Sequence, residues 1–145
     1  MALNRGLARL IGSWVGEERL AASPWAPAGT ATATLEFTEE AGGATVLQRY
    51  RQERDGREAL TGLGVLDVDE GTVRQFWWDS LGHPPAAPAV GQEAEDGIVV
   101  ERSSPRGTNR TRVAVEGDEL IYEIEFAAPG EERALLVSGR YRRVG

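Results

Sequence analysis

The side chains able to do chemistry in this 145-residue sequence are few, and their types and spacing restrict what that chemistry is. Glu18 follows Trp14 and Gly16 at even spacing, so on an extended strand all three project to one side, while Glu17 goes with Ser13 and Val15. If Trp14 points into an apolar interior, a carboxylate goes in with it. A carboxylate so placed is poised to act as a general acid or base. Its alternative employment is an ion pair with an inward arginine such as Arg140, or a place at a cavity mouth. Asp79 and the single histidine, His83, complete the candidate catalytic set. His83 sits in Gly82-His83-Pro84-Pro85-Ala86-Ala87-Pro88, whose prolines bar it from a strand ladder. It therefore belongs to a loop near Asp79, where it is either a solvated side chain or one with a gating or proton-transfer role. Ser23-Pro24-Trp25-Ala26-Pro27 forms a similar loop, with Trp25 available to cover a cavity.

Period-two spacing also collects candidate ligand-binding groups. Val46, Gln48 and Tyr50 share one face of their segment, and Val73, Gln75, Trp77 and Asp79 share one face of another. Tyr122 stands on the apolar side of Leu120, Tyr122, Ile124 and Phe126. Turned inward, Gln48, Tyr50, Gln75, Trp77 and Tyr122 line an amphipathic cavity of apolar walls and a few hydrogen-bonding groups, the usual make-up of a ligand pocket. The alternative is that these polar groups satisfy one another or sit at the rim. Phe76 and Trp78 put aromatic bulk on the other face of Thr72–Ser80, so pattern alone leaves its inward face open.

Absent residue types prune further. With Cys 0 there is no disulfide framework, thiolate nucleophile or iron–sulfur ligation. All 16 basic residues are arginine, so no lysine serves a Schiff base or a phosphate loop. One histidine leaves zinc with carboxylates as its further ligands, and no metal site is expected. The acidic runs Glu39-Glu40, Glu93-Ala94-Glu95-Asp96, Glu116-Gly117-Asp118-Glu119 and Glu131-Glu132 fall at turns and lack calcium-loop spacing. Against the 16 basic residues stand 23 acidic ones, a net charge of −7, so nucleic acid and anionic membrane surfaces are poor partners. No apolar run approaches the ~20 residues of a membrane span. The stretch Met1 to Ile11 lacks the apolar core of a signal peptide, so a cytoplasmic protein of bacterial type is expected.

These groups must be positioned by a scaffold, and the 18 glycines punctuate one. Ala41-Gly42-Gly43, Asp55-Gly56, Glu70-Gly71, Asp96-Gly97, Glu116-Gly117-Asp118 and Pro129-Gly130 stand at hairpin spacing. Between them apolar and polar residues alternate, as in Ala31, Ala33, Leu35 and Phe37 against Thr32, Thr34, Glu36 and Thr38. One dry and one wet face argue for antiparallel sheet. Strands are predicted at Ser13–Leu20, Thr30–Thr38, Ala44–Glu53, Glu58–Asp67, Thr72–Ser80, Ile98–Ser103, Asn109–Glu116, Glu119–Phe126 and Ala134–Arg143, with a weaker tenth at Ala89–Ala94. Leu3, Leu7, Leu10 and Ile11 form one short apolar stripe, which predicts a helix over Leu3–Leu10. So many strands without covering helices lose their edges most economically by closing. The prediction is all-β: one domain over residues 1–145, an up-and-down antiparallel barrel of about ten strands with a short N-terminal helix. A β-sandwich is second.

Leu10-Ile11-Gly12-Ser13-Trp14-Val15-Gly16-Glu17 resembles the opening of calycin barrels, the lipocalin and fatty-acid-binding-protein group, in which a short helix leads into Gly-x-Trp. The extended Gly-x-Trp-x-Gly-Glu looks like nitrobindin and a related bacterial family of domains of unknown function. Gly62-Leu63-Gly64-Val65-Leu66-Asp67, Gln75-Phe76-Trp77-Trp78-Asp79-Ser80 and Val137-Ser138-Gly139-Arg140-Tyr141 also look like that bacterial family, so the resemblance spans nearly the whole chain. It implies that Trp14 plugs the closed end beneath Arg140, Arg142 or Arg143. Fatty-acid-binding proteins hold a ligand carboxylate with an arginine near the chain end, a role that would fall to Arg140. That family reads Arg-x-Tyr, whereas this chain reads Arg140-Tyr141-Arg142. Nitrobindin implies ferric haem on a histidine near the C-terminal end. Here Ser138-Gly139-Arg140-Tyr141-Arg142-Arg143 holds none, which disfavours haem and leaves Tyr141 as the conceivable axial ligand.

The function expected is binding of a small hydrophobic molecule without a cofactor, with pairing into a homodimer left open. The alternative is a cofactor-independent isomerase or cyclase using carboxylate, tyrosine or histidine acid–base chemistry in the same cavity.

Overall fold

A computed structural model describes residues 5–22, 27–82 and 87–144. Helix α1 (Arg5–Leu10) leads into β1 (Gly12–Leu20), followed by β2 (Gly29–Glu40), β3 (Thr45–Arg54), β4 (Arg57–Asp69) and β5 (Thr72–Asp79). Then come β6 (Ala89–Glu93), β7 (Gly97–Ser104), β8 (Gly107–Glu116), β9 (Glu119–Ala127) and β10 (Ala134–Arg143). All pairings are antiparallel between sequence neighbours, and β1 pairs with β10 to close the barrel. The predicted all-β barrel is what forms, and the weak tenth strand is its β6. The predicted helix start, Leu3 and Asn4, lies outside the described residues, as do Trp25 and His83.

Turn chemistry fixes the hairpins. Asp55 and Gly56 have φ of 53° and 73°, and Glu70 and Gly71 have 51° and 83°, so both central residues of each turn take the left-handed conformation. Such turns match the twist of the strands they join, which explains a glycine at the second position.

One end of the barrel is sealed. Trp14 is 1% exposed among Leu7, Leu10, Phe37 and Leu120. Its indole N–H donates to the Leu10 carbonyl at 2.9 Å. The Arg143 guanidinium lies 4.1 Å from the Trp14 ring centroid and donates to the carbonyls of Ile11 at 2.6 Å and Arg9 at 3.3 Å. Of the three arginines the sequence offered for this cover, Arg143 takes it. Gly12 is needed beneath it: with φ of 134° and a hypothetical Cβ 2.4 Å from Arg143 Nη1, no other residue fits without displacement.

At the other end β6 is short. It pairs with β5 only over Thr72–Gln75 and with β7 only over Ile98–Glu101. Among the described residues, Phe76–Asp79 of β5 and Arg102–Ser104 of β7 therefore have no ladder partner on that side, which leaves a slot between the two strands. Outward residues carry surface ion pairs such as Arg74–Asp67 and Arg112 with Asp96, Glu116 and Glu123, each worth little to stability. Among the described residues, no helix is long and apolar enough to cross a membrane.

Candidate site in the barrel cavity

Strand parity carries Glu18 inward with Trp14, Gly16 and Leu20, and it is 0% exposed. A buried carboxylate must be met by donors, and here three meet it. The Tyr50 hydroxyl donates to Oε1 at 2.6 Å, Gln52 Nε2 donates to the same oxygen at 2.9 Å, and the Tyr141 hydroxyl donates to Oε2. Gln52 Nε2 also reaches the Tyr50 oxygen at 2.8 Å. The close approach of β1 and β10 that brings Tyr141 to Glu18 depends on glycine. A Cβ on Gly16 would lie 2.0 Å from the Arg140 carbonyl oxygen, and one on Gly139 would lie 2.8 Å from the Tyr141 ring.

Arg140 is not the partner of Glu18. Gly139 and Tyr141 face inward, so Arg140 between them points out, exposed, and its guanidinium lies 3.5 Å from Glu119. The expectation of an inward Arg140, as counter-charge or as the holder of a ligand acid, is corrected by this alternation.

Three tyrosines surround the carboxylate. Tyr50 stacks on Tyr122 at 6.0 Å between centroids and 11° between planes, and Tyr122 meets Tyr141 edge-on at 6.5 Å. Burial first, and the Glu18 charge second, raise the pKa of all three phenols well above the ordinary tyrosine range. They remain protonated donors at any physiological pH.

Tyr50, Gln52 and Tyr122 form one side of a cavity of about 260 Å³. Leu60, Trp77, Ile124 and Val137 supply apolar wall, and Gln75, Asp79, Arg102, Asn109 and Thr111 supply polar groups. Trp77 is held as a fixed plate. Its indole N–H donates to Asp79 Oδ2 at 3.0 Å, and its ring stands 6.1 Å from that of Tyr50. Glycine makes its seat: a Cβ on Gly62 would fall 2.2 Å from the Trp77 ring, and one on Gly64 would fall 3.2 Å from it. Asp79 spends its other oxygen on the Leu81 amide at 3.0 Å.

Among the sequence candidates, Tyr50, Gln75, Trp77, Tyr122 and Asp79 are brought to the cavity wall, and Glu18 to its backing. Gln48 faces inward, as parity demanded, but it is fully buried and lies behind the wall, where its Oε1 accepts from Gln75 Nε2 at 2.9 Å. Lining residues the reading passed over are Gln52, Leu60, Arg102, Asn109 and Thr111. Gln52 follows Gln48 and Tyr50 at even spacing, and Arg102 follows Ile98 and Val100, so the same parity would have found both.

Haem does not suit these residues. The Tyr141 hydroxyl, the axial ligand the sequence left open, is turned to Glu18 and does not line the cavity, and the Tyr50 hydroxyl on the wall is likewise spent on Glu18. Nor do the described residues include a group of three or more carboxylates, histidines or cysteines placed to hold a metal ion.

Fold and site together define an antiparallel barrel plugged at one end and hollow at the other. Rv2717c from M. tuberculosis, a solved structure, is similar to it, with a TM-score of 0.76 over 99% of this chain and 100% of that one. At 19% identity the likeness is one of fold. No protein-family model and no curated protein matches the chain.

Proposed function

We propose that this barrel binds a small, mostly apolar molecule carrying a polar group, and that it is a calycin-like carrier related to the nitrobindin type. The observation that carries this reading is the cavity itself, in which a clamped Trp77 faces hydrogen-bonding groups on Tyr50, Gln52 and Gln75. Its 260 Å³ sets the ligand size. An apolar cavity of about 150 Å³ accepts one benzene ring, so a one- or two-ring compound is the natural occupant. The Gly12-Ser13-Trp14 opening, sealed by Arg143, supports the calycin kinship.

The test is a panel of aromatic acids, short fatty acids and polyketide-like phenols, followed by titration calorimetry. Saturable binding abolished by Trp77→Ala, in a variant that keeps its barrel circular dichroism, supports the reading. No saturable binding across the panel overturns it.

One observation favours a second reading, a cofactor-independent isomerase or cyclase. The Tyr50 hydroxyl stands between the cavity and the Glu18 carboxylate, 2.6 Å from Oε1. A ligand proton taken up by the Tyr50 oxygen, as the phenol proton passes to Glu18, is a relay that needs no metal. Turnover of a bound compound, lost in Glu18→Gln with binding retained, would promote this reading over simple carriage.

A further inference from the structure

The slot left by β6 has a charge character of its own. Arg102 follows Ile98 and Val100 along the inward face of β7 and reaches the cavity just beyond the last residue paired with β6. It is half-buried, and among the described residues no hydrogen bond or ion pair engages its guanidinium. Outward arginines nearby behave differently: Arg110 pairs with Glu101 and Glu125, and Arg112 with Asp96, Glu116 and Glu123. Asp79 borders the slot on β5, where its oxygens accept from two neutral donors, the Trp77 indole and the Leu81 amide, and among the described residues no ion pair joins it to Arg102. On β8, Asn109 stands opposite Arg102 in the ladder and lines the cavity with it.

The ring order gives this placement a direction. Counted either way round the ten strands, β6 is five strands from β1, so the slot lies across the barrel from Glu18. The cavity therefore has a buried carboxylate behind one wall and, at the opposite rim, a guanidinium that no described residue pairs with. An anion deep inside would meet Glu18 in a desolvated setting, where like charges repel strongly. At the slot it would meet a guanidinium able to form a charge-assisted, two-pronged contact while still touching water.

We propose that the occupant is a compact organic acid bound with its ring inward and its anionic group in the β5–β7 slot on Arg102. This inference rests on the binding reading above and adds the chemical class and the orientation of the occupant. Asn109 completes the anion seat, Trp77 flanks the ring, and the Tyr50 and Gln52 oxygens accept from a hydroxyl at the far end, their own donor hydrogens being spent on Glu18 and on each other.

The test uses 3-(4-hydroxyphenyl)propanoate and its primary amide, which match in shape and differ in charge, titrated calorimetrically against the full chain. The wild-type protein should bind the acid about tenfold more tightly than the amide, the scale of one charge-assisted contact at a partly exposed site. Arg102→Gln should bring the two to equal affinity by weakening the acid alone. Arg102→Lys, which keeps the charge and loses the fork, should fall between. Unchanged melting temperatures in both variants show that the barrel is intact. An acid-to-amide ratio near one in the wild-type protein, or a ratio unmoved by Arg102→Gln, overturns the anion seat and leaves cavity binding standing. Failure of both probes to bind removes the binding reading and this inference with it.

Discussion

Raising the pH perturbs the buried cluster without changing a single residue. The chain has three tyrosines, Tyr50, Tyr122 and Tyr141, and all three are buried around Glu18. It has no lysine and no cysteine, so between about pH 9 and 12 the phenols dominate side-chain titration. In the unfolded chain each ionises near pH ~10. In the folded chain burial and the Glu18 charge hold every one of them above that value. Above about pH 10 the unfolded state thus binds fewer protons than the folded state, and stability falls as pH rises. Below about pH 10 the contribution is fully present. Each phenol sets a slope of ~1.4 kcal/mol per pH unit, and three together set ~4 kcal/mol per unit. Near pH 12 the accumulated loss is ~8 kcal/mol, within the range of a domain's entire stability of about 5–15 kcal/mol. Tyrosinate absorbance and far-ultraviolet circular dichroism, followed together, should therefore change in one cooperative step. Tyr50→Phe should reduce the slope of denaturant-derived stability against pH by about a third. Tyrosinate forming near pH ~10 while the barrel remains folded would refute the argument, because at least one phenol would then be in ordinary contact with water.

Trp14→Ala should cost roughly 3–5 kcal/mol, since it empties the plug and strands the Arg143 guanidinium above it; a melting temperature close to wild type would show otherwise. Gly62→Ala should cost about 1–3 kcal/mol and displace the Trp77 ring, read as a lower melting temperature with a shifted Trp emission. Tyr141→Phe should destabilise by about 1.5–3 kcal/mol, because the buried Glu18 Oε2 loses its hydroxyl donor, and chemical denaturation measures this directly.

Fold and site differed in how legible they were. Alternation such as Ala31, Ala33, Leu35 and Phe37, with glycine at each turn, is a local signal read over a few residues, and it located even β6. Parity from Trp14 likewise carried Glu18 inward before any partner for it was known. What parity lacks is long-range pairing. Nothing local says that Glu18 meets Tyr141 across 123 positions, or that Gly62 clears space for Trp77. Arg140 was misread for a related reason, since its neighbours Gly139 and Tyr141 hold the inward parity only once β10 is registered against β1. Arg102 carried the right parity, but its relevance depends on β6 ending early, which is a fact about pairing and not about composition.

Glu18 is the residue whose presence the fold itself does not require. The plug, the turns and the apolar inner faces would close the same barrel around an apolar cluster, provided Tyr50, Gln52 and Tyr141 were exchanged with Glu18, because removing the carboxylate alone leaves three buried donors unpaired. The carboxylate carries a desolvation cost that three donors offset. Those donors are held in turn: Tyr50 between Tyr122, Gln52 and the carboxylate, and Gln52 between Tyr50 and the carboxylate. The consequence reaches the cavity, because Tyr50 and Gln52 are also its lining. Glu18 thus holds two polar side chains rigid on one wall, while Arg102, unpaired among the described residues, stands across the barrel. The proposed occupant, with an anionic end and a hydrogen-bonding end, suits a cavity arranged in this way better than a symmetric hydrocarbon of equal volume.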